Sequence, residues 1–366
     1  MKKNNAVSIF TYQDEPPSRG ASLTQALAER VIGQDHVLAC IVPFVQTHEA
    51  GLAPEGRPAG VFLLLGPTGT GKTKTVEALA GVLHGDERSV LKINCGEFQM
   101  EHEVAKLIGA PPGYLGHRET HPILSQAKLA AATSPRSNLA LVLFDEIEKA
   151  APSLTRLLLG VLDKAALRLG DNTTVNFERS LIFFTSNLGT TGMQEELRPA
   201  LGFHPPHERP AAEIAKKLDR IASHAVRKHF PPEFVNRIDA ILTYRPLSRE
   251  TLEGILRRQL ADLQTHIDNR LMSRRFRVGV RPSAFRFLLE RGCSPEYGAR
   301  ELKRVVFRHL TQPLAASFAD GVFPPGSTVC VEAARNGSGL RFRSSEPASS
   351  RQRLPLLLIE RGWGPD

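Results

Sequence analysis

The chain has 366 residues, a formal net charge of +9, and 41% hydrophobic and 23% charged side chains. That balance is ordinary for a globular protein that buries a real core, and the length leaves room for two or three domains. No apolar run approaches the roughly 20 residues needed to cross a bilayer, so a membrane partner is not expected and a cytoplasmic location is.

The opening stretch, "MKKNNAVSIFTYQDEPP", has two lysines but no long apolar segment after them, unlike a secretory signal. Residues 1–22 read as a polar lead-in. Cys40, Cys95, Cys293 and Cys330 are too scattered for a C-x-x-C pair or a disulfide framework, and read as reduced and structural. His117 and His121 stand four apart, but Pro122 follows and no third ligand is evident, so no metal site is expected of them.

Residues 23–245 read as an α/β domain. "VFLLL" (61–65), "VLKIN" (90–94), "LALVLF" (139–144) and "SLIFF" (180–184) are short and almost wholly apolar, as strands buried on both faces of a parallel sheet are. Between them, Val76, Leu79, Ala80 and Leu83 recur at helical spacing, and so do Leu154, Leu157, Leu158, Val161 and Leu162 behind Pro152.

Residues 246–333 change character. Leu252, Ile255, Leu256, Leu260, Leu263 and Ile267 mark a long helix. Further helices are expected over 283–291 and 299–318, then a short strand, "STVCVE" (327–332). Residues 334–366 begin rich in Ser, Gly and Arg and read as a flexible tail. Its last apolar patch, "LPLLLIERGW", could dock back or meet a partner. The basic excess gathers at 250–310, but aromatics barely interleave with it, so a nucleic-acid partner is disfavoured.

Two motifs carry chemistry. "GPTGTGKT" (Gly66, Pro67, Thr68, Gly69, Thr70, Gly71, Lys72, Thr73) follows an apolar strand and opens an amphipathic helix. In that setting the glycines let backbone N–H groups cradle phosphate oxygens, Lys72 reaches the outer phosphates and Thr73 can hold Mg²⁺. "LALVLFDEIEK" ends an apolar strand in Asp145 and Glu146. Two adjacent carboxylates there suit a magnesium ligand, Asp145, and a base for the attacking water, Glu146. Capping of the next helix is the plainer alternative. Asn187, at the tip of "SLIFFTSN", could sense the terminal phosphate.

Taken together, "RVIGQD" (30–35), "GPTGTGKT", "GAPPGYLG" (109–116), "VLFDEIEKA", "TSNLG" (185–189), "PPEFVNRID" (231–239) and "EYGARELKR" (296–304) stand in one order. Over about Leu23 to Val331 the sequence resembles the AAA+ ATPases of the Clp type, most closely the second ATPase module of ClpB, ClpA and ClpC. The resemblance implies an AAA+ P-loop NTPase domain with a parallel sheet, followed by a small, mainly helical C-terminal lid domain.

It also implies roles. ATP and Mg²⁺ are the expected cofactors. Val31 and Ile32 would pack against the adenine. Arg237 would be an arginine finger reaching the next subunit's site, which requires a ring, a homo-hexamer in most of the family. The alternative for Arg237 is a local ion pair with Glu233 or Asp239. Arg300 would be the second sensor, relaying nucleotide state to the small domain, unless it is one more arginine on a basic helix. Tyr114 and Leu115 would line a central pore and grip a threaded polypeptide, unless the loop packs on its own domain. Leu201, Gly202 and Phe203 lie where ClpA- and ClpC-like unfoldases dock into a ClpP-type peptidase, although ordinary loop packing serves equally.

Departures are visible too. "HRETHP" follows the pore loop where acidic and glycine residues are usual, and "LDKAALRLGDNTT" (162–174) replaces a more glycine-rich second pore loop. The expected function is an ATP-driven protein unfoldase or remodelling chaperone that threads polypeptide and feeds a peptidase in some relatives. The competing readings are a nucleotide-switched scaffold without threading, and a DNA-directed motor.

Overall fold

In a computed structural model of the chain, residues 23–109, 122–197, 211–294, 297–335, 337–345 and 357–358 are described. Seven strands run through the first part: β1 (Gly60–Leu65), β2 (Leu91–Asn94), β3 (Ala140–Asp145), β4 (Ala166–Arg168), β5 (Thr174–Asn176), β6 (Ser180–Ser186) and β7 (Ala240–Thr243). Five of them form one parallel sheet in the order β2-β3-β6-β1-β7. β4 and β5 make a separate antiparallel hairpin within and just beyond the segment where a second pore loop was expected.

The four runs read from sequence are β1, β2, β3 and β6, and the reason β1, β3 and β6 are almost wholly apolar is now plain. Val61, Leu63, Leu65, Val142, Phe144, Ile182 and Phe184 enter one core. Phe62, Leu64, Leu141, Leu143, Leu181 and Phe183 enter the other, on the opposite face. On β1, β3 and β6 both faces are covered, so neither set of alternating apolar side chains meets water, whereas edge strand β2 leaves Lys92 and Asn94 exposed. Phe62 stacks on Phe183 and Phe144 on Phe184, with ring centroids 5.2 and 5.3 Å apart.

The surrounding helices are α1 (Leu23–Ala28), α2 (Asp35–Glu49), α3 (Lys72–His84), α4 (Glu101–Ile108), α5 (Gln126–Ala131), α6 (Pro152–Lys164), α7 (Thr190–Leu197), α8 (Ala211–His229) and α9 (Pro232–Val235). The register Leu65↔Ser186 and Phe144↔Phe184 brings the C-terminal ends of β1, β6 and β3 side by side. Ligands of open parallel sheets bind at such ends, where the strand order reverses.

The second part holds α10 (Arg249–Leu271), β8 (Arg277–Val280), α11 (Pro282–Gly292), α12 (Gly298–Val306), a π-helical turn (Phe307–Thr311), α13 (Gln312–Ala319), β9 (Thr328–Ala333), β10 (Leu340–Ser345) and β11 (Leu357–Leu358). Ser248 starts α10, its hydroxyl accepting from Thr251 N at 3.1 Å, which satisfies one of the helix's free N–H groups. The single helix expected over 299–318 is thus two helices joined by the π turn.

The small domain's sheet runs β10-β9-β8-β11. Within the segment expected to be a flexible tail, residues 340–345 and 357–358 are strands. β10 pairs antiparallel with β9, Phe342 packs against the small domain's core, and β11 pairs with β8 at the other edge. Part of the last apolar patch therefore docks back. β9 and β8 are thereby each paired on their outer side as well, which satisfies ladder groups that would otherwise lie open.

Among the described residues no helix is long and apolar enough to cross a membrane, and no His, Cys, Asp and Glu cluster could hold a metal ion. The four cysteines are free, with Cys95 buried and Cys40 and Cys293 exposed.

Candidate nucleotide site

β1 ends at Leu65 and the chain turns directly into α3. Gly66, Gly69 and Gly71 have φ of 145°, 78° and 108°, where a Cβ is penalised. Space matters as much as torsion. A Cβ on Gly66 would stand 2.9 Å from Tyr244 Cβ and from Tyr244 O, and one on Gly69 would stand 2.1 Å from Tyr297 O. A loop of this shape turns successive N–H groups inward and places them at a helix N-terminus, a fit for phosphate oxygens.

Lys72 lies inside that loop. Its Nζ donates to Gly66 O, to Pro67 O at 3.1 Å and to Asn187 Oδ1 at 2.8 Å. Burial brings its pKa down to about 8, against the opposing pull of Glu148, Asp145 and Glu146. The ammonium is thus half-neutral near pH 8, and a bound polyphosphate would restore the proton. Nucleotide binding is accordingly expected to take up about half a proton per site near pH 8 and almost none near pH 6.5. Calorimetric titration in buffers of different ionisation enthalpy checks this. Equal uptake at both pH values would refute it.

Asp145 and Glu146 follow β3. Thr185, fully buried on β6, sits between them. Its Oγ1 donates to Asp145 Oδ1 and accepts from Glu146 N at 3.0 Å. Glu146 needs that support, because its φ of 59° is left-handed, costing about 1–2 kcal/mol for a residue with a Cβ. Asp145 Oδ2 lies 3.3 Å from Lys92 Nζ, and Glu146 Oε2 lies 2.7 Å from Lys149 Nζ. The pair is therefore no mere helix cap. Neither side chain caps the short turn Ile147–Lys149 that follows.

The expected adenine contacts divide. Val31 is only 4% exposed and its side chain joins the core that α2 packs on, while its N–H donates to Leu27 O at 2.8 Å. Ile32 stands against α10, close enough that a Cβ on Gly254 would lie 3.3 Å from Ile32 Cγ2. Gln34, completely buried, ties this segment to the junction of the two domains: Nε2 donates to Arg245 O at 2.9 Å and Oε1 accepts from Arg245 N at 3.2 Å.

The small domain closes over the loop. Ala299 N donates to Gly69 O at 3.1 Å. Arg300, in the first turn of α12, is near enough for its charge to disfavour the ammonium of Lys72. Arg237 stands apart, at the end of α9. Its Nη1 donates to Glu233 O at 2.6 Å and its Nε lies 3.4 Å from Asp163 Oδ1. The local partner is thus Asp163 with a backbone carbonyl. Asp239, the other candidate, pairs with Arg57 and accepts from Val61 N at 2.8 Å. Tyr114, Leu115, Leu201, Gly202 and Phe203 lie outside the described residues.

Tyr244, Gln34 and Glu148 escaped the sequence as structural members of the site, and Thr185 stood only as one of the polar residues ending "SLIFFTSN". Gln34, Thr185 and Glu148 lie within blocks already singled out. For Tyr244, whose hydroxyl donates to Thr75 Oγ1 at 2.7 Å beneath the loop, no sequence signal exists.

A phosphate loop, an acidic strand end and a polar strand tip on a β2-β3-β6-β1-β7 sheet, covered by a helical lid, define an ATPase domain of the AAA+ class. Residues 57–241 match the AAA domain (Cdc48 subfamily), and residues 247–331 match the C-terminal, D2-small domain of ClpB protein. The chain belongs to the AAA domain family. It is 37% identical to the chaperone protein ClpB of Bdellovibrio bacteriovorus over 87% of its own length and 34% of that protein's. With ClpB of Pseudomonas putida the identity is 38%, over 85% and 33%. A closed-state cryo-EM reconstruction of Hsp104:ATPyS and FITC casein superposes with a TM-score of 0.72 at 25% identity, over 88% of this chain and 51% of that one. The chain spans about a third of the length of the curated relatives it matches.

Proposed function

We propose that this chain is the ATP-hydrolysing motor of a protein-remodelling chaperone, a disaggregase module that works as a homo-hexameric ring and threads polypeptide through a central pore. The observation that carries the reading is the meeting of Lys72, Asp145, Glu146 and Asn187 at the ends of three adjacent strands, beneath a lid domain bonded to Gly69. The relatives named ClpB, and the Hsp104 reconstruction with ATPyS and casein, support it.

The residues present fit a magnesium–nucleotide complex. Asp145 already accepts a cationic neighbour in Lys92, and Thr73 occupies the first turn of α3 beside the loop. Thr73 and Asp145 would hold Mg²⁺, which when bound neutralises charge on the phosphates. Lys72 binds the outer phosphates. Glu146 takes the proton of the attacking water. Asn187 orients that water. Arg300 relays nucleotide state to the lid. Arg237 supplies its guanidinium to the neighbouring subunit's phosphate, a geometry its planar fork suits.

Tyr114 and Leu115 would grip substrate by area and shape, since a ring and an aliphatic chain need no particular sequence. The peptidase partner expected from Leu201, Gly202 and Phe203 gains no support from relatives named ClpB, so the proposed activity is remodelling without coupled degradation. A folded domain resists by about 5–15 kcal/mol, so repeated cycles of hydrolysis are needed to pull it apart.

The test is ATP-dependent unfolding of a folded, tagged reporter. Tyr114→Ala is expected to keep ATP turnover within about threefold while losing unfolding. Unfolding at the parent rate in that variant would remove threading by Tyr114.

A further inference from the structure

Glu148 sits in the turn after β3, two residues beyond Glu146, and the reaction as proposed does not use it. Its Oε1 accepts from the backbone N–H of Asn187 at 3.0 Å. Its Oε2 is buried and has no hydrogen-bond partner. A buried carboxylate oxygen left unpaired is costly, and such a group in a folded protein calls for an explanation.

A surface ion pair does not explain it. Lys149, the adjacent cation, is paired with Glu146 instead. Helix capping does not explain it either, because Glu148 lies inside the turn and reaches back across the sheet to β6.

The explanation lies in what Asn187 does. Asn187 is fixed on both sides of its peptide unit. Glu148 holds its N–H, and Thr190 Oγ1 donates to its carbonyl at 2.6 Å. Its side-chain Oδ1 then accepts from Lys72 Nζ at 2.8 Å, and Lys72 also bonds the carbonyls of Gly66 and Pro67. A chain of contacts therefore joins the ends of β3, β6 and β1: Glu148 to Asn187, Asn187 to Lys72, Lys72 to the phosphate loop. Of the acidic groups near Lys72, Glu148 also contributes most to favouring its ammonium form.

We propose that Glu148 is a positioning residue for phosphoryl transfer, which locks the Asn187 backbone so that its amide head stays beside Lys72 and the terminal phosphate. The inference rests on the ATPase reading given above. Misplacing a reacting group by about 1 Å costs on the order of 10²-fold in rate, so a small loosening at Asn187 is measurable.

Two variants of the full chain separate this role from a merely structural one. Glu148→Ala removes both oxygens. Glu148→Gln keeps an acceptor for Asn187 N–H and removes the charge. In the nucleotide-free protein, Glu148→Ala is expected to speed hydrogen exchange at the Asn187 amide. With ATP it is expected to lower kcat by about 10²-fold while KM moves less than about threefold. Glu148→Gln is expected to recover most of both losses. Parent-like exchange and kcat in Glu148→Ala would overturn the proposal, and so would a Glu148→Gln protein as impaired as Glu148→Ala. The exchange measurement needs no hydrolysis, so its failure is separable from that of the ATPase reading, which a parent protein without turnover would overturn by itself.

Discussion

Glu146→Gln is expected to bind nucleotide within about threefold of the parent affinity and to lose hydrolysis by about 10²–10⁴-fold. The carboxylate is the base in the proposed mechanism, and the amide cannot accept a proton. The backbone is expected to survive the change. The left-handed turn at Glu146 is held through its own N–H by Thr185, and Thr185 is anchored on Asp145, so neither contact uses the Glu146 side chain. The one partner lost is Lys149, an exposed ion pair of the kind that contributes about 0–1 kcal/mol. Steady-state phosphate release and fluorescent-nucleotide titration together check it. Parent-like turnover would reassign the base.

The second large effect belongs to a glycine. Gly69→Ala is expected to weaken nucleotide binding at least tenfold and to loosen the lid, because the new Cβ would meet Tyr297 O at 2.1 Å in the backbone of the small domain. Backbone cannot swing aside as a long side chain can, so either the phosphate loop or α12 must move. The torsional cost of φ 78° adds about 1–2 kcal/mol. Gly56 is the control, with a φ of 76° and nothing within 4 Å of its added Cβ. Gly56→Ala bears the same torsional cost and is expected to leave affinity alone. Equal losses in the two variants would show that torsion, rather than the lid contact, decides the outcome.

Legibility followed the range of the interactions. β1, β3 and β6 were readable because each is covered on both faces, which demands an unbroken apolar run. β7 was not, since its "AILT" is four residues long and its first two residues are only partly buried. β8 hides in "RVGV", which is equally short and carries a glycine between its two apolar residues. The phosphate loop was readable because its constraints are local: glycines where the chain must turn, a lysine, a hydroxyl. Thr185 and Glu148 act across the sheet, and Gln34 reaches a backbone 211 positions away. Such contacts leave no periodic trace. At residues 340–345 composition hid a strand, since Ser, Gly and Arg do not forbid one when an open sheet edge is waiting for it.

Assembly is the claim on which the proposed motor stands, and one mixing experiment reaches it. An Arg237→Ala chain would keep its own base but lack the finger, and a Glu146→Gln chain would keep the finger but lack the base. Each alone is expected to be inactive. Mixed in equal amounts, about a quarter of the seams of a randomly assembled ring would join a working base to a working finger, and ATP turnover should reappear in that proportion. A mixture as silent as its parts, or an Arg237→Ala protein that hydrolyses ATP at the parent rate alone, would contradict a site completed between subunits.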